Sequence, residues 1–119
     1  MIVRPVIDLA GDPHVDSYEI PDRLRRQVVE RDHHCVFPNC TKPAAGCDLD
    51  HIDPHAEGGT TCPCNLAPLC RGHHRMKTAR FAHYRTIKPG TYLWTLGTAT
   101  YLVDPTGTYP TNGASPPDE

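Results

Sequence analysis

Four residues able to bind zinc occur in the sequence as two closely spaced pairs. Cys35 and Cys40 form the first pair, and Cys70 and His73 form the second. Structural zinc takes four sulfur or nitrogen ligands in a tetrahedron, and a short spacing delivers two ligands from one turn of chain. The spacing therefore predicts a closed structural Zn²⁺ site made by these four side chains. The alternative is a set of unpaired buried thiols.

Three further cysteines, Cys47, Cys62 and Cys64, are not needed for that site. Free cysteine commonly behaves as a small buried apolar side chain, so the first interpretation is that these thiols pack the loop before the second zinc-binding pair. Another interpretation stays open, in which Cys62 or Cys64 replaces one of the predicted zinc ligands.

A second group of residues suits phosphodiester hydrolysis, which needs a base to activate water and a cation to stabilise charge on phosphate. Histidine titrates near neutral pH, and an aspartate with a histidine can hold a divalent ion. We predict that His51 is the base and that Asp50 and His74 bind a catalytic Mg²⁺ or Mn²⁺ ion. Asn65 is expected to brace the loop and orient His51. The prediction rests on the combination, because each residue alone is uninformative.

Positive charge is concentrated around the second histidine of this group. Residues 58–103 carry six Lys or Arg and no Asp or Glu, whereas residues 1–57 carry six basic and eleven acidic residues. Neutralising phosphates is the main source of nucleic-acid affinity. Arg71, Arg75 and Lys77 flank His74 and are the candidates for phosphate contacts. No base-reading element is recognisable, so we expect DNA bound with weak sequence preference; the alternative is a solvated helix face.

The elements that would position His51 begin with a helix over 22–31, which has apolar residues on one side, arginines on the other and Asp22 as its cap. A brief strand is predicted over 47–52, because polar and apolar residues alternate there. Gly58-Gly59 marks a turn after that strand.

The element that would position His74 is a second helix, predicted from Leu66 to about Arg80 with Pro68 tolerated in its first turn. Residues three and four apart share a helix face, so Cys70 and the residues after it would line adjacent rows. A zinc ion at Cys70 would then fix the helix that presents His74.

The rest of the chain is predicted to be extended or disordered. Residues 6–9 read as an edge strand, and residues 92–95 and 100–103 as a β-hairpin. Beyond Asp104 the Pro, Gly, Ser and Thr content predicts disorder. The expected divisions are an extended segment 1–21, a core 22–88, a hairpin 89–104 and a disordered tail 105–119.

Composition and compartment agree with a metal-stapled domain. The 119 residues are only 38 % hydrophobic and include 13 prolines, so a small core needs a cross-link or metal. Neither a signal peptide nor a membrane span is recognisable, which predicts a cytoplasmic protein with no membrane partner. In a reducing compartment, cysteines beside histidines are metal ligands more often than disulfides. A secreted disulfide domain is the alternative.

With these residues in view, the sequence resembles the HNH endonucleases of the ββα-metal (His-Me finger) fold. The matching stretches are Asp50-His51-Ile52-x-Pro54, Gly58-Gly59, Asn65-Leu66 and Cys70-x-x-His73-His74-x-x-Lys77. The flanks resemble the HNH domains at the C-terminus of large actinobacterial repeat-family proteins. The stretches that carry this second resemblance include Tyr18-Glu19-Ile20-Pro21, Cys35-Val36-Phe37-Pro38, Cys62-Pro63-Cys64-Asn65 and Gly90-Thr91-Tyr92-Leu93-Trp94.

The resemblance implies an α+β fold, namely a small zinc-stapled ββα-metal domain with a preceding helix and a C-terminal β-hairpin. It implies that His51 activates water, that Asp50 and His74 bind the catalytic metal, and that Asn65 stabilises the loop. Many family members place four cysteines around zinc, and His73 stands where the fourth would be. In that family the domain commonly follows a larger N-terminal region, so the chain is also expected as part of a larger protein.

The sequence thus predicts a metal-dependent DNA endonuclease. The competing interpretation is a non-catalytic zinc module that binds nucleic acid or a protein. Such a module would need the four zinc ligands but not the combination of Asp50, His51, Asn65 and His74.

Overall fold

The computed structural model describes residues 11–111, which contain two α-helices and six β-strands. The predicted edge strand at 6–9 lies outside the described residues. The fold is α+β, as predicted. Within these residues no helix is long and apolar enough to cross a membrane. The elements are α1 (Asp22–Asp32), β1 (Asp48–His51), β2 (Leu66–Leu69), α2 (Arg71–Thr78), β3 (His83–Lys88), β4 (Thr91–Leu96), β5 (Ala99–Asp104) and β6 (Gly107–Pro110).

Helix α1 confirms the first predicted helix but not its predicted cap. Pro21 occupies the N-cap position and Asp22 is already helical, with no side-chain hydrogen bond to the cap. Asp22 still places a negative charge in the first turn, where the helix dipole favours it. Leu24 and Val28 are fully buried one turn apart and pack against Leu49 and Leu66.

Strands β1 and β2 form an antiparallel hairpin that leads into α2, so the local order is ββα. The prediction of one helix over 66–80 is wrong. Pro68 lies opposite Leu49 in β2, and α2 begins only at Arg71. Pro68 has no N–H to donate, but each strand of a two-stranded sheet is an edge, where proline is tolerated. Residues 66–69, predicted as the first turn of that helix, instead pair with β1 and are buried along their whole length.

Strands β3 to β6 form an antiparallel sheet in sequence order. The predicted hairpin is confirmed at its centre as β4 and β5, whereas β3 and β6 were not predicted. Strand β6 lies inside the segment 105–119 that was expected to be disordered, and that expectation is wrong for residues 107–110. Backbone pairing with β5 orders this polar segment, since Thr108 lies opposite Val103.

The four-stranded sheet packs against the turn that carries the first cysteine pair. Trp94 is fully buried, stacks on Tyr84 with ring centres 4.2 Å apart and meets the edge of Phe37 at 5.0 Å. Phe37 in turn stacks on His73 at 3.8 Å. Aromatic contacts therefore connect the sheet, the cysteine turn and α2 in one core.

A buried ion pair ties α1 to the sheet and to the ββα hairpin. The Arg31 guanidinium donates two hydrogen bonds of 2.8 Å to Asp32, and the Tyr92 hydroxyl donates to the same carboxylate at 2.7 Å. Arg31 also donates to the carbonyl of Leu66 in β2 at 2.7 Å. The hairpin is thereby held between α1 and the sheet, which fixes the positions of β1 and β2.

Candidate functional site

The four predicted zinc ligands lie together. The ligand atoms of Cys35, Cys40, Cys70 and His73 are all within 4.8 Å of one another. The His73 Nδ1 atom is 3.2 Å from the Cys70 sulfur and 3.7 Å from the Cys35 sulfur. Zn–S and Zn–N bonds of about 2.3 and 2.0 Å place tetrahedral ligand atoms at roughly such separations. Three sulfurs and one imidazole nitrogen thus fit a closed zinc site.

Local backbone explains how the four ligands meet. The chain turns between Cys35 and Cys40, where the Cys40 N–H donates to the Phe37 carbonyl at 3.1 Å. Cys70 was predicted to lie on the helix, but it is the extended residue that precedes α2. His73 lies in the first turn of α2. The Cys70 N–H points to the Cys35 sulfur at 3.3 Å. The two halves of the site are therefore joined at the start of α2.

Burial and hydrogen bonding shift the pKa values of two cysteines of the cluster in opposite directions. Burial raises the pKa of the Cys35 thiol well above its ordinary value. Burial also opposes ionisation of Cys70, but hydrogen bonds from the His73 backbone and from neighbouring thiols give its pKa a net lowering. Thiolates packed this closely repel one another, and a metal ion removes the repulsion because it bonds to deprotonated sulfur.

Asp50 and His74 lie side by side at the junction of β1 and α2. The Asp50 Oδ1 atom is 3.2 Å from the His74 Nε2 atom. Asp50 is buried at the penultimate position of β1, and His74 is half-buried on the first turn of α2. The hydrogen bond with Asp50 is the largest effect raising the pKa of His74.

Asp48 also contacts His74, although this contact was not predicted from the sequence. The Asp48 Oδ2 atom is 3.0 Å from the His74 Nδ1 atom, so the imidazole lies between two carboxylates. Arg71 donates two hydrogen bonds to Asp48, at 3.0 and 3.2 Å. These bonds, and then His74, lower the pKa of Asp48. Arg71, predicted to contact phosphate, instead faces a carboxylate in this structure.

Two more groups contact the Asp50 carboxylate. The Lys77 ammonium lies 3.2 Å from Asp50 and donates to the His51 carbonyl at 2.9 Å. The Tyr84 hydroxyl donates to Asp50 at 2.8 Å. Burial raises the pKa of Tyr84 well above its ordinary value, so the hydroxyl keeps its proton. Lys77 was predicted to bind phosphate, whereas Tyr84 was missed because it belongs to the unpredicted strand β3.

His51 ends β1 and is fixed through a threonine that the sequence did not single out. The Thr61 hydroxyl donates to the Ser17 carbonyl at 2.5 Å and lies 2.9 Å from the His51 Nε2 atom. Because the hydroxyl proton is directed to Ser17, Thr61 can only accept from His51, which places the imidazole proton on Nε2. The Nδ1 lone pair is then available to a water molecule.

The surroundings of His51 keep it neutral and support its ring. Burial, the largest effect, and neighbouring His55 lower the pKa of His51 against the opposing charge of Asp50. The exposed Tyr18 ring stacks over His51 with centres 5.3 Å apart. An unprotonated imidazole at neutral pH is the form that can accept a proton.

Asn65 braces the loop that follows β1. Its Oδ1 atom accepts from the Asp53 N–H at 2.8 Å, and its Nδ2 atom donates to the carbonyls of Asp53 and Thr60 at 3.0 and 2.9 Å. Gly59 fits closely here, because a Cβ atom at that position would overlap the Asp53 carbonyl. These contacts fix both ends of the loop between His51 and Thr60.

These side chains line an open cleft of about 590 Å³. Asp50, His51, His74 and Lys77 all face it, and so does Arg80, which was not predicted as a site residue. Arg75 is exposed on α2 but is not among the lining residues. The cleft thus combines an unprotonated imidazole, a carboxylate with an imidazole, and positive side chains, which is a set of groups suited to a phosphate ester.

Two of the three remaining cysteines differ from the first interpretation. Cys62 and Cys64 are joined in a disulfide, so they are not free thiols, and neither belongs to the cluster of predicted zinc ligands. Cys47 is a free buried thiol, as interpreted, and its sulfur donates to the Pro43 carbonyl at 3.4 Å. The alternative in which Cys62 or Cys64 replaces a zinc ligand is wrong for this arrangement.

Comparisons with known proteins give a match to a family model and to uncharacterized relatives. Residues 35–80 match the family model described as HNH endonuclease. The chain is 40 % identical over 90 residues to the uncharacterized protein Rv3776 and 41 % identical over 95 residues to the uncharacterized protein Rv2100, both of Mycobacterium tuberculosis. These matches cover 74 % and 78 % of this chain but only 16 % of each relative, so the chain spans about one sixth of their length. No solved structure gave a significant match.

Proposed function

From the premise that residues 35–80 match the HNH endonuclease family, we propose that this chain is a metal-dependent nuclease that hydrolyses DNA phosphodiester bonds. His51 is the general base, and Asp50 and His74 bind one catalytic divalent ion. The cluster of Cys35, Cys40, Cys70 and His73 holds a structural Zn²⁺ ion. The ββα order of β1, β2 and α2 then corresponds to a ββα-metal fold.

The observation that carries the proposal is the pair formed by Asp50 and His74. Their facing atoms are 3.2 Å apart at the edge of an open cleft. Adjacent ligands of an octahedral Mg²⁺ ion with bonds of about 2.1 Å lie roughly 3 Å apart, so both can bind one ion. Two protein ligands leave the other positions to water and phosphate oxygens. When bound, the ion supplies positive charge to the phosphate and to the leaving oxygen.

His51 supplies the base. Thr61 fixes the proton on Nε2, so Nδ1 accepts a proton from the water that attacks phosphorus. The lowered pKa of His51 keeps that lone pair available at neutral pH. Asn65 acts as a positioning residue, because its three hydrogen bonds hold the loop between His51 and Thr61.

Asp48, Lys77 and Tyr84 assist the ion-binding pair. Asp48 accepts from His74 Nδ1 and thereby directs His74 Nε2 toward Asp50, as carboxylates behind metal-binding histidines commonly do. Tyr84 and Lys77 hold the Asp50 carboxylate in place from the sheet and from α2. Each of these residues acts through the ion-binding pair.

Asp50→Asn is expected to lower plasmid cleavage in Mg²⁺ or Mn²⁺ by at least about 100-fold, because an amide is a poor ligand for a hard cation. The matched control is Asp53→Asn, since Asp53 also lines the cleft but contributes only backbone atoms to the Asn65 network. It should keep activity within a few-fold of wild type. Equal losses in both variants would show that Asp50 is not a specific ion ligand. Melting curves check that both variants are folded.

DNA is the proposed partner, bound through its backbone with weak sequence preference. Arg80 lines the cleft and is exposed, so it is the cation best placed to meet a phosphate as it enters. Arg75 is exposed on α2 and is a candidate for a more distant phosphate. Arg71 contributes less in this arrangement, because Asp48 already accepts both of its hydrogen bonds.

Arg80→Gln is expected to weaken DNA binding and to reduce the slope of log affinity against log salt by about 1, as loss of one phosphate contact does. Arg23→Gln is the matched control, because Arg23 is exposed on α1 and does not line the cleft. Fluorescence anisotropy with labelled duplexes at several salt concentrations measures both. If Arg23→Gln lowered the salt slope as much as Arg80→Gln did, the DNA would not be bound at the cleft.

A further inference from the structure

A second cluster of metal-binding side chains lies outside the sites described above. The ligand atoms of Asp12, His14, Cys62 and Cys64 are all within 4.8 Å of one another. They come from two segments, 12–14 near the start of the described chain and 62–64 in the loop before β2. The proposed nuclease mechanism uses none of these four side chains.

We propose that, in the reduced chain, these four side chains bind a second Zn²⁺ ion. Two thiolates, one imidazole and one carboxylate are all ordinary zinc ligands, and four protein ligands complete a tetrahedron. Two soft sulfur ligands select against Mg²⁺ and Ca²⁺, which prefer oxygen. The ion would be structural, because no coordination position is left for a substrate.

Contacts among the described residues hold the two segments together. One carboxylate oxygen of Asp12 lies 3.1 Å from the His14 Nε2 atom. The other accepts a hydrogen bond from the Cys64 N–H at 3.1 Å. Val15 donates its N–H to the Thr61 carbonyl at 2.9 Å, which aligns the two segments as a short antiparallel bridge. Little rearrangement is then needed to bring four ligands around one ion, which favours binding.

The disulfide between Cys62 and Cys64 corresponds to the oxidised state of the same site. A disulfide sulfur carries no thiolate charge, so zinc binding and the disulfide exclude each other. Oxidised glutathione supplies the oxidant. The exposed Cys64 thiolate attacks it and releases one reduced glutathione, and the buried Cys62 thiolate then displaces the second. Two thiolates are oxidised, one glutathione disulfide is reduced, and the zinc ion is released to water.

The position of the cluster links it to His51. Thr61 lies next to Cys62, and the segment that carries Asp12 and His14 continues to Ser17 and Tyr18. Ser17 accepts from the Thr61 hydroxyl, which contacts the His51 imidazole, and Tyr18 stacks on the same imidazole. A zinc ion here would fix the segment that orients His51, and this consequence alone rests on the proposed nuclease function. The binding of zinc does not.

The test is the zinc content of the reduced, purified chain measured by elemental analysis. Wild type should contain one zinc ion per chain more than Cys64→Ser. Cys47→Ser is the matched control and should equal wild type, because Cys47 belongs to neither cluster. His14→Ala removes an exposed ligand without disturbing the core and should also lose zinc during dialysis against a weak chelator. Equal zinc content in wild type, Cys64→Ser and His14→Ala would overturn the proposal.

A redox experiment separates this site from the first cluster. Oxidised glutathione should release one more zinc ion from wild type than from Cys64→Ser, as measured with a chromophoric chelator, and dithiothreitol should restore binding. The measured quantity is the difference in released zinc between wild type and Cys64→Ser. Zinc lost from the cluster of Cys35, Cys40, Cys70 and His73 is the same in both and cancels, and no nuclease activity is needed. The same release from wild type and Cys64→Ser would contradict the assignment.

Discussion

His51→Ala should lower the rate of plasmid nicking by about 10²- to 10⁴-fold, which is the usual contribution of a positioned general base. The variant loses the Nδ1 atom that accepts the proton of the attacking water. Only the Thr61 hydroxyl hydrogen-bonds to the imidazole among the described residues, and Tyr18 stacks on it. The fold and the zinc content are therefore expected to survive. Gel assays with supercoiled plasmid measure the rate, and melting curves check the fold.

His55→Ala is the matched control for this prediction. His55 lines the same cleft and its ring centre is 5.7 Å from that of His51, but it is exposed and outside the Thr61 network. Activity within a few-fold of wild type is expected. If His55→Ala lost activity and His51→Ala kept it, the base would be His55.

Cys70→Ser should lose the structural zinc and unfold the domain near room temperature. Zinc binding in small metal-stapled domains contributes about 10–16 kcal/mol at neutral pH, which is as large as the whole stability of a typical domain, about 5–15 kcal/mol. Cys70 also connects β2 to α2, so loss of its sulfur releases the helix that carries His74. Circular dichroism melting and elemental analysis of the same samples measure both effects.

Cys47→Ser is the control for that loss. Cys47 is buried, and serine can keep its hydrogen bond to the Pro43 carbonyl, so the variant should stay folded with unchanged zinc. A Cys70→Ser protein that melts at the wild-type temperature would mean that these residues contain no stabilising ion. Wild type treated with a strong chelator should resemble Cys70→Ser, and zinc should restore its melting transition.

Local spacing explains why the first metal cluster could be predicted. Cys35 with Cys40, and Cys70 with His73, are each close enough in sequence for one turn to bring them together. The four ligand atoms do converge, although Cys70 precedes the helix and does not lie on it. The ligand set did not depend on the predicted helix boundary, because an extended residue before a helix and one in its first turn can face the same point.

Other parts of the site depend on contacts between elements that are distant in the sequence, which local patterns do not specify. Asp48 meets His74, and Tyr84 meets Asp50, only because β1, α2 and β3 lie side by side in three dimensions. Because residues 66–80 were predicted as one helix, β2 was not predicted. The register that pairs His51 with Leu66 therefore could not be predicted either.

Thr61 illustrates a third kind of missed residue. Its hydroxyl contacts the His51 imidazole directly and donates to the carbonyl of Ser17, which is 44 positions away from Thr61 in the chain. Threonine in a Gly-rich loop has no pattern that separates a surface residue from one that fixes a histidine tautomer. The bridge between Val15 and Thr61 and the contact of Asp12 with Cys64 bring these segments together in three dimensions.

Cleavage of supercoiled plasmid by the zinc-loaded wild-type chain, with and without added Mg²⁺ or Mn²⁺, tests the central claim most directly. We predict nicking that requires the added ion, stops on chelation and resumes when Mg²⁺ is restored. A chain that is folded, contains zinc and binds DNA, yet cleaves nothing with either ion, would contradict the nuclease assignment. It would then be a non-catalytic zinc module.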